Sequence, residues 1–174
     1  MKRFLGIIAL LILMAFTGQM TEAQNVKFGH INSDELIQAM PEYDSAMAKL
    51  ERTRTELVNT LEIMTVELNN KYDAYTKAEK TLTDLVKQSR QQELQDLQNR
   101  ITSFQNQAQT TLQEEQATLT QPIFAKIDKA IKDVGKEGGF IYVFDVAAGG
   151  KILYFDETKS TNILALVKTK LGLK

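Results

Sequence analysis

The residues of this chain that could do chemistry are few and poorly spaced for it. His30 is the only histidine, and there is no cysteine. Metal binding or nucleophilic catalysis needs several such groups converging on one point. A lone imidazole that alternates with Phe28 along a short run is expected to be a packed or interface residue. Asp145, Asp156 and Glu157 lie close together around an aromatic stretch. Paired carboxylates work as acid and base when a nucleophile or a phosphate loop stands beside them, and the sequence supplies neither. They are expected to face solvent at strand ends. Gly149-Gly150 reads as a turn, since the spacing and following helix of a phosphate-binding loop are missing. No catalytic residue, metal ligand, cofactor-binding residue or cofactor is expected, and the chain is not expected to be an enzyme.

The elements around these residues begin with a targeting segment. Met1-Lys2-Arg3 is a basic start, Phe4 to Phe16 is an uncharged apolar run, and Thr21-Glu22-Ala23 offers a small-x-small cleavage site. The pattern predicts a signal peptide over 1–23, cleaved near Ala23, because the apolar run falls short of the roughly 20 residues that span a bilayer. Export would permit disulfides, but without cysteine stability must come from packing and association. Removing Lys2, Arg3 and Glu22 leaves 19 basic and 21 acidic residues, interspersed along the chain. Phosphate recognition needs a concentrated basic face, so no nucleic acid is expected as partner.

Residues 43–134 carry two amphipathic stripes. Met47, Leu50, Arg54, Leu57, Leu61, Met64, Leu68, Lys71, Tyr75, Ala78, Leu82, Leu85 and Ser89 follow a heptad in which only Arg54, Lys71 and Ser89 break pattern. Leu94, Leu97, Ile101, Phe104, Ala108, Leu112, Leu119, Ile123, Ile127, Ala130 and Val134 form the second stripe, with a stutter at Ala108 and Leu112. Two such helices zip antiparallel into a hairpin that must leave so small a globule. The pause at 85–92 places its tip there. Arg54 and Lys71 either set register or lay their stems on the seam with the charges in water. Pro122, inside the returning helix, removes one backbone hydrogen bond and predicts a kink or hinge.

The remainder, 24–42 and 135–174, forms a small body and completes one domain over 24–174. Asn25 to Ile31 reads as a strand, and Asn32 as the cap of a short helix over 34–40, with Glu35 in capping-box position. Pro41 opens the arm. Gly135 to Gly139 should end its second helix in a left-handed cap. Phe140 to Val146 and Ile152 to Phe155 flank Ala147 to Gly150 and predict a β-hairpin. Ser160 or Thr161 would cap a last helix over 162–171, with Ile163, Leu164, Val167 and Leu171 on one face. The expected fold class is α+β, a long antiparallel coiled-coil hairpin on a small β-rich body. Three strands with so little cover leave edges and an apolar face, which oligomerisation would protect.

This order of features resembles the Skp/OmpH family of periplasmic chaperones. The resemblance rests on FGHINSDELIQAMPEY (Phe28 to Tyr43), PIFAKIDKAIKDVGKEGGFIYVFD (Pro122 to Asp145) and ILYFDETKSTNILALVKTKL (Ile152 to Leu171). It implies a jellyfish-like homotrimer whose helical tentacles surround a cavity, a soluble periplasmic location, and an ATP-independent holdase activity toward unfolded outer-membrane β-barrel proteins. An arm helix of about 45 residues would reach roughly 65 Å. Familiar members are strongly basic, whereas this mature chain is slightly acidic, so membrane contact is expected to be at most peripheral. Ser160-Thr161-Asn162 also stands where the family usually has Asp-Ile-Thr.

On that reading, Phe28, Ile31, Ile141, Val143, Ile152 and Tyr154 are the candidate oligomer body. Ile63 and Val66 fall at outward heptad positions and Tyr72 flanks the seam, which makes these three the candidate client contacts. Pro122 is the candidate hinge. A coiled-coil adaptor that joins other envelope components is the alternative function, and it would bind one folded partner rather than several unfolded ones.

Overall fold

The computed structural model describes residues 26–149 and 152–173. The signal peptide expected over 1–23, the first residues of the expected strand and Gly150 of the expected turn lie outside them. The described chain runs β1 (Lys27–Ile31), α1 (Ser33–Gln38), α2 (Pro41–Ala78), a single 3-10 turn (Glu79–Thr81), α3 (Asp84–Glu137), β2 (Phe140–Asp145), β3 (Ser160–Asn162) and α4 (Leu164–Lys170). It is the α+β hairpin-on-body architecture expected.

Local chemistry explains most boundaries. Asn32 is extended, and its Oδ1 accepts from the backbone N–H of Asp34 and of Glu35. Its Nδ2 donates to Glu35 Oε1 at 3.0 Å, so cap and first turn hold each other. Pro41 opens α2, where a missing N–H costs nothing. Gly139, at φ 67°, takes the left-handed conformation that stops α3. The Thr-rich faces of both long helices stay helical because their hydroxyls bond back one turn, as Thr55 does to Glu51 and Thr110 to Asn106.

The sheet is three-stranded in the order β2-β1-β3, and both ladders are parallel. Parallel strands require a crossover connection. Here the crossover from β1 to β2 is α1 plus the whole helical arm. Gly29, in the central strand, is where the neighbours close in, since a Cβ there would lie 3.3 Å from both Phe140 and Val143. The covered face packs on the root of the arm. Ile31, Leu36, Met40, Ile163 and Val167 are fully buried there, joined by Ile123, Ile127, Ala130 and Val134 of α3.

Three expectations are corrected. The β-hairpin is not formed: β2 pairs with β1, and residues 152–156 form no strand. Local aromatic propensity pointed to the hairpin, but β1 offers β2 a full ladder backed by the core. The last helix starts later than expected, because Ser160–Asn162 takes the other edge of β1. Its N-cap is therefore Ile163 rather than Ser160 or Thr161, and the strand residue before it, Asn162, accepts from Leu164 N through Oδ1 at 2.9 Å. The tip of the arm lies at 79–83, not 85–92. Leu82 and Thr83 are two consecutive extended residues, which suffice to reverse the chain before the helix restarts at Asp84.

Asp145 is also more than a solvent-facing strand end. Its carboxylate accepts from Ser33 Oγ at 2.5 Å, Ser33 N at 3.1 Å and Ala147 N at 3.0 Å, which ties the end of β2 to the start of α1. Burial pushes this carboxyl up, but the bonds from Ser33 and Ala147 outweigh that and hold it below its ordinary value of 3.8. Its contribution is therefore present above the unfolded pKa and lost as pH falls through the lower folded one. Asp145→Ala should destabilise the body by about 1 kcal/mol at pH 7. Urea denaturation should show the difference from the wild type shrinking below about pH 4; a gap that persists in full at pH 2 would refute the role.

Candidate functional site

The candidate site is the arm together with the uncovered face of the sheet. Along α2 the apolar seam from Met47 through Leu57, Leu61, Met64 and Leu68 is half-buried, as expected, and so is Leu82 in the turn beyond it. On α3 Leu97 and Ile101 are buried in mid-arm, and Ala108 and Leu112 lie half-buried across the stutter. Leu85 and Ser89 leave the seam and are exposed, Leu85 because α2 has already ended opposite it. Near the tip polar contacts replace leucines: Gln91 Nε2 donates to Tyr75 Oη at 2.8 Å, and Lys71 donates to Glu93.

Lys71 thus reaches across the seam, while Arg54 is exposed and pairs only loosely with Glu51 at 4.0 Å. Lys49 pairs with Glu115 at 3.4 Å. The same number of residues separates Lys49 from Lys71 on α2 as Glu93 from Glu115 on α3. The two ion pairs therefore mark one register along the middle of the arm. Lys71, bonded to Glu93, holds that carboxyl below its ordinary range, with Arg90 adding to the effect. At the root, Lys126 donates to Glu42 at 2.6 Å and lowers its pKa in the same way.

Pro122 lies within α3, which continues helical on both sides of it. It lines an open groove of about 590 Å³ with Met40, Pro41, Ala46, Leu119 and Ile123. The chain's two prolines therefore meet where the arm joins the body.

The expected client contacts are all at the surface: Ile63 is 69% exposed, Val66 50% and Tyr72 59%. Val58 is a fourth, overlooked because it neighbours the seam residue Leu57. Val58 and Tyr72 are two heptads apart and share a flank, while Ile63 and Val66 point elsewhere, so the exposed apolar groups are scattered around α2.

The candidate body residues divide. Ile31 is core and Val143 packs against it, so both stabilise the protomer itself. Phe28, Ile141, Ile152 and Tyr154 are exposed. Phe28, Tyr142 and Phe144 stack across the open face with centroids 5.9 to 6.4 Å apart. Tyr142 and Phe144 follow from the period-two pattern of the strand. Leu153 at 99% and Tyr154 at 84% exposure project from the unpaired segment that follows. His30 is buried on this face, bonded through Nδ1 to Ser160 Oγ at 2.8 Å and tilted against Phe155. It is a packed residue linking β1 to β3.

The described geometry defines a class: a helical-hairpin arm rooted in a small parallel sheet with an aromatic open face. A family model described as outer membrane protein (OmpH-like) matches residues 27–171, and the chain belongs to that family. No curated protein matches the chain. No helix among the described residues is long and apolar enough to cross a membrane.

Replacing Glu93 by Ala leaves Lys71 without its cross-seam partner. Amide exchange between residues 71 and 94 should then speed up by roughly two- to threefold, with the root of the arm unaffected. Uniform exchange along the arm would show that the pair does not hold the tip.

Proposed function

We propose that this protein is an ATP-independent holdase of the periplasm that binds unfolded outer-membrane β-barrel proteins between its arms. The OmpH-like family is a family of periplasmic chaperones of outer-membrane proteins, and its match spans both body and arm. The observation that carries the reading is the arm. Helices of 38 and 54 residues extend from a body of short elements, with Val58, Ile63, Val66 and Tyr72 exposed between root and tip. An arm supported only along its seam is a poor way to build a core and a good way to present surface. Scattered apolar side chains give many weak contacts, which restrain a client without fixing one conformation.

Three copies meeting through the open sheet face, with Phe28, Tyr142, Phe144, Leu153 and Tyr154 as the covered groups, would arrange the arms around a cavity. With binding as the only source of free energy, release follows from the client folding into its membrane.

Native mass spectrometry of the purified protein, alone and after dilution with a urea-unfolded outer-membrane barrel, tests both parts. A homotrimer that gains one client and keeps it soluble is expected. An oligomer that ignores unfolded barrels and captures one folded envelope protein would establish an adaptor instead. The combined variant Ile63→Ser, Val66→Ser and Tyr72→Ser should retain the client several-fold less well and keep the same oligomer; unchanged retention would remove these residues from the client surface.

Pro122 is the proposed hinge between arm and body. It leaves the carbonyl of Thr118 without its helical donor and sits beside the root groove. Pro122→Ala should narrow the distribution of arm positions in small-angle scattering, and an identical profile would exclude a hinge there.

A further inference from the structure

Where the arm joins the body, α3 carries two unlike stripes. Leu119, Pro122, Ile123 and Lys126 form one wall of the root groove of about 590 Å³. Ala117, Gln121, Phe124, Ala125 and Asp128 line a separate shallow hollow that shares no residue with the groove. With about 3.6 residues per turn, the centres of the two stripes fall about half a turn apart, on opposite faces of α3. Both stripes are also centred at one height. The spans 119–126 and 117–128 have the same midpoint, between Pro122 and Ile123. Phe124 is 44% exposed and flanked by alanines, so an unpartnered aromatic stands on a face of small residues. The groove lies over buried Met40, Ala46 and Ile123, and its lining charges are Lys49, Lys126 and Glu42. The hollow beside Phe124 has Asp128 as its one lining charge.

We propose that Phe124 of one copy fills the root groove of the next copy in the oligomer. Rotation about an axis running along the arms carries a copy around the ring without raising or lowering it. A side chain on one copy therefore reaches only what lies at its own height on the neighbour. Phe124 and the root groove meet that condition, and they do so from opposite faces of one helix. This is the arrangement of a heterologous contact, which repeats head to tail until the ring closes. The signs of charge also match. Asp128, one turn from Phe124, is carried to a rim that holds Lys49 and Lys126. Its carboxylate is bonded to Lys132 at 2.6 Å but remains 62% exposed, so it has room for a second partner. One aromatic ring binds little by itself, and here it adds to the contact through the open sheet face. The groove is also where Pro122 sits, so a swing of one arm at that proline would displace the neighbour's Phe124.

The inference deepens the proposed arrangement of arms around a cavity, on which it rests, and its test separates the two. The chain has no cysteine, so introduced thiols are the sole targets of a thiol cross-linker. One full-length chain carries Ser45→Cys on the groove rim and a second carries Gln121→Cys beside Phe124. Coexpressed, the two should be joined by a short bifunctional maleimide, and neither variant alone should cross-link. Adding Phe124→Ala to the second chain should cut that yield at least fivefold. In the otherwise wild-type protein the same substitution, at an exposed site, should leave the fold intact by circular dichroism and raise the concentration at which the oligomer dissociates roughly tenfold. An oligomer without the mixed cross-link, or a yield unmoved by Phe124→Ala, would overturn the contact and leave the holdase reading standing. Cross-links within the Gln121→Cys variant alone would overturn it in favour of like faces meeting. Phe124→Ala that lowers client retention with the cross-link unchanged would assign this face to the client and also overturn it. A monomer in native mass spectrometry would remove the contact together with the ring. The mixed cross-link in an oligomer that ignores unfolded barrels would sustain the contact while the holdase reading fell.

Discussion

Parallel pairing of β1 with β2 is the constraint on which the rest of the molecule depends. A parallel pair cannot close through a tight turn, so something must carry the chain back to the starting edge. In this protein that connection has grown into the arm. Both arm helices are therefore anchored at the same place, α2 just after β1 and α1, and α3 just before β2. Ile31, Leu36 and Met40 from one end meet Ile123, Ile127 and Val134 from the other in a single core. The entropic cost of joining strands so distant in sequence grows only slowly with loop length. Zipping the seam reduces it further, because the hairpin delivers its two ends side by side.

Support then falls away along the arm. At the root the α3 stripe is buried against the body, while in the middle Leu57, Leu61, Met64 and Leu68 are shielded only by the facing helix. Toward the tip Lys71, Glu93, Tyr75 and Gln91 substitute polar contacts for apolar ones. Exposed ion pairs contribute little net stability. Their value lies in register, since a slipped hairpin would strand Lys71 against leucines. A firm root and a yielding tip follow from one sequence gradient, and local opening is expected to begin at the distal end.

Features encoded by neighbours in sequence were legible without coordinates. The heptads as far as Leu82, the Asn32 cap, Pro41 at the start of α2 and the glycine stop after α3 each act within one or two turns, and each is found where its chemistry placed it. The errors concern competition at a distance. Phe140 to Asp145 could have paired with the following aromatic run, but β1 won because pairing there also covers the core. Ser160 and Thr161 are plausible caps, yet β1's second edge claimed them as strand. The tip leaves no mark in the sequence because a two-residue extended turn at Leu82 and Thr83 needs neither glycine nor proline. The role of Asp145 is invisible in the sequence because its donors, Ser33 and its own loop, meet only when the sheet forms.

The same logic explains why the exposed apolar groups divide into two kinds. Those on the sheet are concentrated: Phe28, Tyr142 and Phe144 stack into one surface, with Leu153 and Tyr154 projecting nearby. A contiguous apolar patch favours one well-defined partner surface, and burying it gains more than burying the same side chains singly. Those on the arm are dispersed, Val58, Ile63, Val66 and Tyr72 around α2 and Leu85, Val86 and Phe124 along α3, each too small to bind anything firmly by itself. On the proposed reading this is a division of labour between permanent and transient association. A client that touches several such points at once is held by effective concentration rather than by any strong contact. It can therefore leave piecemeal as its own strands pair, with no single bond whose rupture needs an external energy source.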